Sequence, residues 1–254
     1  MDPAAAPTDG PDDADRPTAS DADAPRVTGA GSDRTVRVVR AGHDGDADLV
    51  AAAHVDPDPA VRAAAVGASV RLARSGVIGP SAALDAVLAA LSDGDAAVRR
   101  RAAAEAGRLA GAVDLDADLV AIATAPLVER LGDEDDRVAE VVAFAVGELP
   151  LADAPSALDL AVASLAEVAT GHAEHLCREA AVAALGSIGD PGGLPAVLAG
   201  CRDRATVRRR AVLALAAFDD PAATDELRRL TADRDLQVRQ AAEELLAIEA
   251  GEAT

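Results

Sequence analysis

Four residues in one short stretch, His172, Glu174, His175 and Cys177, bring together side chains that suit zinc, because imidazole nitrogen and thiolate sulfur are its natural ligands. Their spacing is not that of a helical ligand motif. The other two histidines, His43 and His54, stand alone. The sequence has no glycine-rich phosphate loop, no Gly-x-Ser-x-Gly elbow and no His-Glu-x-x-His. Its 44 acidic residues are too many for any adjacent pair to point to general acid–base catalysis. These residues therefore read as those of a non-enzyme, with no catalytic residue, no cofactor and no metal. Cys177 is then an inward-facing thiol beside a polar helix start.

The elements that position these groups are helices packed through small side chains. Half of the 254 residues are apolar, mostly Ala, Val and Leu, with two Phe, one Met and no Trp or Tyr. No segment alternates with period two for long enough to make a sheet. The 24 basic residues are all Arg, and Lys and Asn are absent, leaving a net charge of −20. Such repulsion fades in brine, where the Debye length falls to about 3 Å at 1 M salt. The composition is that expected of a halophilic archaeal protein. Two cysteines, Cys177 and Cys201, fit a reducing interior, and no segment reads as a leader or a membrane span, so a cytoplasmic location is expected.

Residues 1–34 contain eight Asp, three Arg and five Pro, with Met1 and Val27 as the only large apolar residues. Too little apolar surface is present to offset the entropy of ordering, so this stretch reads as a disordered acidic tail. The ordered part, 35–250, opens with Thr35 to Arg40, either as a strand-like arm or as a capping helix.

From Asp46 a pattern recurs around the anchors Val61, Val98, Val138, Cys177, Val207 and Val238, spaced by 37, 40, 39, 30 and 31 residues. That is the length of two short helices and their turns. Asp58, Asp95 and Asp235 stand where N-caps belong, and Pro59 occupies a first helical position. An Asp in the turn precedes an Arg early in the second helix. A cation there opposes the positive end of the helix dipole, so something other than helix stability must hold it.

These copies, over residues 46 to 248, resemble HEAT repeats, in particular the short phycobilisome-lyase-like variety. The resemblance implies an all-α solenoid of about six helical hairpins. It also implies a structural inter-repeat ladder of Asp56, Arg62, Asp93, Arg99, Asp133, Arg178, Arg208, Asp233 and Arg239. The third copy has Ala139 in place of the Arg and the fifth has Arg202 in place of the Asp, so the ladder is expected to be interrupted at both. One HEAT-repeat enzyme class, deoxyhypusine hydroxylase, binds iron through His-Glu dipeptides, and this chain has none.

At 100° per residue, positions four, seven and eight after each anchor share its buried face. Positions two and six face away and align into a ridge of Arg100, Glu140, Phe144, Glu179, Arg209 and Leu213. Phe144 is either an exposed interface aromatic or, if the frame slips by one residue, part of the core. Phe218 returns to the buried face. The expected function is that of a non-enzymatic scaffold or adaptor, monomeric, holding a protein partner on this ridge, with signalling or taxis as the setting. The alternative is a maturation or lyase-like accessory factor for a client protein. A minor alternative is nucleic-acid binding through the Arg202 to Arg210 cluster, which the net charge and the lack of Trp and Tyr oppose.

Overall fold

Aspartate punctuates this chain because its carboxylate satisfies the N–H groups that a helix start leaves unpaired. The side chains of Asp46, Asp58, Asp95, Asp116, Asp135, Asp220 and Asp235 each accept from an N–H in the helix that follows. Proline at the first helical position, as at Pro59, Pro80, Pro155 and Pro221, fixes φ where no N–H is needed. Glycine serves where a turn goes left-handed: Gly189 ends its helix at φ 69°, a conformation that costs other residues energy.

The computed structural model describes residues 29–251. They form α1 (Gly29–Asp44), α2 (Ala47–Ala53), α3 (Pro59–Arg74), α4 (Pro80–Ala90), α5 (Ala96–Ala110), α6 (Ala117–Glu129) and α7 (Asp136–Gly147). The chain continues through α8 (Pro155–Gly171), α9 (His175–Ile188), α10 (Leu194–Gly200), α11 (Ala205–Ala214), α12 (Pro221–Leu230) and α13 (Leu236–Glu249), with four single turns of 3-10 helix between. No strand occurs among the described residues, and none of their helices is long and apolar enough to cross a membrane.

The architecture is an α-solenoid of six hairpins, from α2/α3 to α12/α13, in which each second helix packs on the next. Helix α1 packs on α3 in the position of a second helix. Thr35 to Arg40 is therefore helical. Of the stretch read as an acidic tail, residues 1–28 lie outside the described residues, while 29–34 form the start of α1.

Small residues let the second helices approach closely. A Cβ at Gly147 would lie 2.9 Å from the Cα of Ala184, and one at Gly186 2.6 Å from the Cβ of Ala214. Contact between successive first helices is sparser, so the closely packed second helices are the inner layer and the first helices the outer one. The core between the layers runs from Val66 to Ala242, with a smaller cluster around Val38, Val50 and Leu72 at the α1 end. Phe218 is buried in it.

Candidate functional site

The turn aspartates and the second-helix arginines meet across the repeats, each Arg reaching the Asp of the next hairpin. Arg62 Nε donates to Asp93 at 2.7 Å, Arg99 Nε to Asp133 at 2.8 Å, and Arg208 Nη2 to Asp233 at 2.8 Å. Both nitrogen arms of each fork engage both carboxylate oxygens, the geometry that makes such pairs strong. The remaining nitrogen turns back to a carbonyl of its own turn, as Arg99 Nη1 does to Asp93 O at 3.0 Å. The Arg62 hydrogen bond holds the Asp93 carboxyl below its ordinary range. Burial pushes the Asp133 carboxyl up, but the Arg99 hydrogen bond, the Asp135 N–H and neighbouring cations outweigh it, leaving a net lowering.

Two rungs come from residues that the sequence pattern missed. Arg34 of α1 reaches Asp56 at 3.0 Å. Arg178 reaches Asp203 at 2.6 Å, so the ladder continues at the fifth copy, where an interruption was expected at Arg202. The turn there has slipped by one residue and delivers the carboxylate from the next position. Arg239, in hairpin α12/α13, keeps its carbonyl contact, to Asp233 O at 2.7 Å, and has no carboxylate partner among the described residues.

At the α7/α9 junction the rung is reversed. Ala139 replaces the Arg and His172 the Asp. His172 Nδ1 accepts from the Glu174 N–H at 3.1 Å, the part that Asp93 Oδ1 plays for Asp95. Its Nε2 lies 3.9 Å from Asp136 Oδ1. The later hairpin thus brings the ring nitrogen toward the carboxylate of the earlier one, at a separation longer than a direct hydrogen bond.

Asp136, His172 and Cys177 have ligand atoms within 4.8 Å of one another. Their hydrogen bonds already engage the atoms that a metal would need. With Nδ1 accepting a hydrogen bond, a neutral ring carries its proton on Nε2 and has no lone pair there, whereas a metal-bound imidazole donates from its other nitrogen. Burial, then the carboxylates of Asp136, Glu140 and Glu174, push the Cys177 thiol up to about 11. That thiol donates to Asp136 O at 3.2 Å. Glu174 and His175 pair with each other at 2.6 Å instead of joining the group.

The ridge residues fall on the inner face with different fates. Phe144 is 42% exposed and Leu213 is 52% exposed. Arg100, Glu140 and Glu179 are half-buried. Arg209 is exposed but paired with Asp235 at 2.6 Å, holding that carboxyl at about 2. Its neighbours are similarly engaged, Arg202 with Glu226, Arg208 with Asp233, and Arg210 at 3.7 Å from Glu179. The cluster that read as basic is mostly neutralised within the protein.

The open surface lies further toward the N-terminus. A cavity of about 610 Å³ is lined by Thr35 and Val39 of α1, Ala60, Ala63 and Ala64 of α3, Ala97, Arg100, Arg101, Ala104 and Arg108 of α5, and Val141 of α7. A second, of about 680 Å³, adjoins it through Ala104, Arg108 and Val141 and ends at Arg74, Phe144 and Glu148. Arg74, Arg101 and Arg108 escaped the positional count. A signal was present: α3 and α5 together hold seven Arg and a single acidic residue, while α2, α4, α6, α8 and α10 hold no Arg at all.

Residues 162–247 match the family described as HEAT repeats. No curated protein matches the chain. Among solved structures, an engineered protein from a structural genomics consortium aligns with TM-score 0.60 and 21% identity over 79% of this chain and 97% of its own. The Escherichia coli protein YibA aligns with TM-score 0.57 and 15% identity, covering 89% of this chain and 76% of that one. A designed armadillo repeat protein in complex with the peptide (KR)4 aligns with TM-score 0.55 and 17% identity, over 83% of this chain and 97% of its own. The fold is thus that of the helical-repeat proteins, with HEAT repeats in the C-terminal third.

Proposed function

We propose that this HEAT-repeat solenoid is a non-catalytic scaffold that holds a protein partner against the inner face of its second helices. One observation carries the reading: the two adjoining cavities form a groove across α1, α3, α5 and α7, with the exposed Phe144 at one end. An exposed aromatic beside Arg, in a protein with two Phe and no Tyr or Trp, is the composition of an interface hot spot. The first helices α2, α4, α6, α8 and α10 hold no Arg. The peptide-bound designed neighbour supports the same use of the fold.

Adaptor work in signalling or taxis, in a salt-rich archaeal cytoplasm, is the setting that the sequence resemblance and composition suggest. A client-maturation role through a thiol or a metal has less support, since Cys177 and Cys201 are both buried with raised pKa values. Binding of nucleic acid through Arg202 to Arg210 is weakened by the internal pairing of that cluster.

The test is affinity capture at molar salt with the intact chain and with a Phe144→Asp, Arg100→Glu double variant, both first shown to be helical by circular dichroism. Selective loss of one partner by the variant supports the groove. An unchanged set of partners would move the interface elsewhere, and no partner at all would sink the scaffold reading.

A further inference from the structure

The groove's floor and walls differ in kind. Ala60, Ala63, Ala64, Ala97 and Ala104 present only methyl groups, so the backbone of a bound segment can lie close to the helices. Above that floor stand Arg74, Arg100, Arg101 and Arg108. Arg101 pairs with Glu105 at 3.0 Å and Arg108 pairs with the same carboxylate at 2.6 Å. That carboxylate is only 5% exposed, so two guanidinium groups share one buried anion. Arg101 Nε is buried without a hydrogen-bond partner. The guanidinium lies in a notch made by Gly67, where a Cβ would collide with it. Among the described residues, Arg74 and Arg100 form no ion pair. Against these four cations stand Glu105 and, at the far end, Glu148, which leaves the groove net positive in a molecule of net charge −20.

From this we infer that the groove takes an acidic, extended peptide segment, its carboxylates on Arg74, Arg100, Arg101 and Arg108 and one apolar side chain against Val141 and Phe144. The inference rests on the scaffold reading and narrows it to a chemical class of partner. Charge complementarity selects the sign. Length follows from four second helices about 9 Å apart, a span of roughly 27 Å, or about eight extended residues. Where salt shortens the Debye length to about 3 Å, long-range steering is lost and only contact pairs discriminate. Arginine suits that condition, because it grips a carboxylate through two parallel hydrogen bonds.

Fluorescence anisotropy on the full chain, from low to molar potassium chloride, provides the test. The probes are labelled octapeptides: one of Asp and Glu with a single Leu, its Lys/Arg counterpart, and a Ser/Gly control. Residues 1–28 carry seven Asp and could compete, so a chain with Asp2, Asp9, Asp12, Asp13, Asp15, Asp21 and Asp23 changed to Ser is measured in parallel. The acidic peptide is expected to bind and the basic one not to. An Arg74→Gln, Arg100→Gln variant, which breaks no internal ion pair, should weaken the acidic peptide about tenfold, within the range for two exposed pairs. Arg228→Gln, on the outer α12, should leave its affinity unchanged. Preference for the basic peptide, an unchanged affinity in the Arg74/Arg100 variant, or no acidic binding by either chain would each overturn the inference. A captured partner that is still lost in the Phe144 variant would then leave the scaffold reading standing without the acidic preference.

Discussion

The Arg99 rung is the most deeply buried of the ladder, and Arg99→Ala tests what the ladder contributes. The Arg99 and Asp133 side chains are 6% and 1% exposed. Truncating the arginine removes both arms of the fork and strands a buried carboxylate, which costs about 3–5 kcal/mol when one partner of a buried pair is lost. Asp133 would keep the Asp135 N–H at 3.0 Å and the Arg130 charge at 3.8 Å, so the lower end, about 3 kcal/mol, is expected. Arg62 sits in a wetter rung, with side chains 20% and 14% exposed, and its truncation should cost about 1–2 kcal/mol. Arg239 has the same place in its helix but meets no carboxylate among the described residues, and loss of its carbonyl contact should cost about 1 kcal/mol or less. Urea unfolding followed by circular dichroism, at equal m-values, ranks the three. The effect should persist at molar salt, since screening ions cannot enter between the buried partners. An Arg99→Ala, Asp133→Asn double variant should be more stable than the sum of its singles by at least about 1 kcal/mol, because the stranded charge is gone. If Arg99→Ala cost no more than Arg239→Ala, the rungs would be ornaments on an apolar stack and the reasoning would fail.

Three further outcomes follow from the same geometry. The rung carboxyls Asp93, Asp133, Asp203 and Asp233 all have folded pKa values below the ordinary 3.8, so the unfolded chain binds more protons near that pH. Their stabilisation should be complete above about pH 5 and fall as pH drops through the folded values, read as a urea midpoint that holds from pH 6 to about pH 5 and declines toward pH 3. Gly186→Ala drives a methyl against Ala214 and should cost about 1–3 kcal/mol, whereas Gly94→Ala, which meets nothing within 4 Å, should stay within about 0.5 kcal/mol on thermal melting. Cys177 and Cys201, both fully buried and raised to about 11 and about 12, should resist alkylation in the folded protein and react only as the chain unfolds. Rapid labelling under native conditions would contradict their placement.

Much of this fold was legible because its contacts repeat. An Asp followed six residues later by an Arg recurs at Asp56, Asp93 and Asp233, and the family resemblance that this recurrence carried implied the pairing. Reading failed where the spacing slipped, at Asp203, and where composition hid the residue, at Arg34 within an acidic stretch. The inner face was only half legible. Positions two and six after the anchor sit near 200° and 240° on the helical wheel; Arg101 and Arg108, three and ten residues on, extend that face to about 300°, while Arg74, thirteen on, lies within it at about 220°, past the positions counted. Glu105 was concealed for a different reason. It occupies the seventh position, which is a buried Ala in Ala68, Ala145, Ala184 and Ala214, and no periodicity distinguishes a buried carboxylate under two guanidinium groups from a break in the pattern. Phe144 turned on a rotation of one residue, which only the three-dimensional frame of α7 fixes.

The reversed rung at His172 constrains how such a chain can be rearranged. Elsewhere each hairpin presents an Asp to the one before and an Arg to the one after, so it works as an interchangeable module. Hairpin α6/α7 instead accepts from Arg99 and offers Asp136, and α8/α9 meets it with His172 and leaves with Arg178. Neither can be removed, duplicated or transplanted alone without setting mismatched partners face to face. Taken out together, they would let Arg99 meet Asp203 and restore the common polarity, so these two hairpins travel only as a pair.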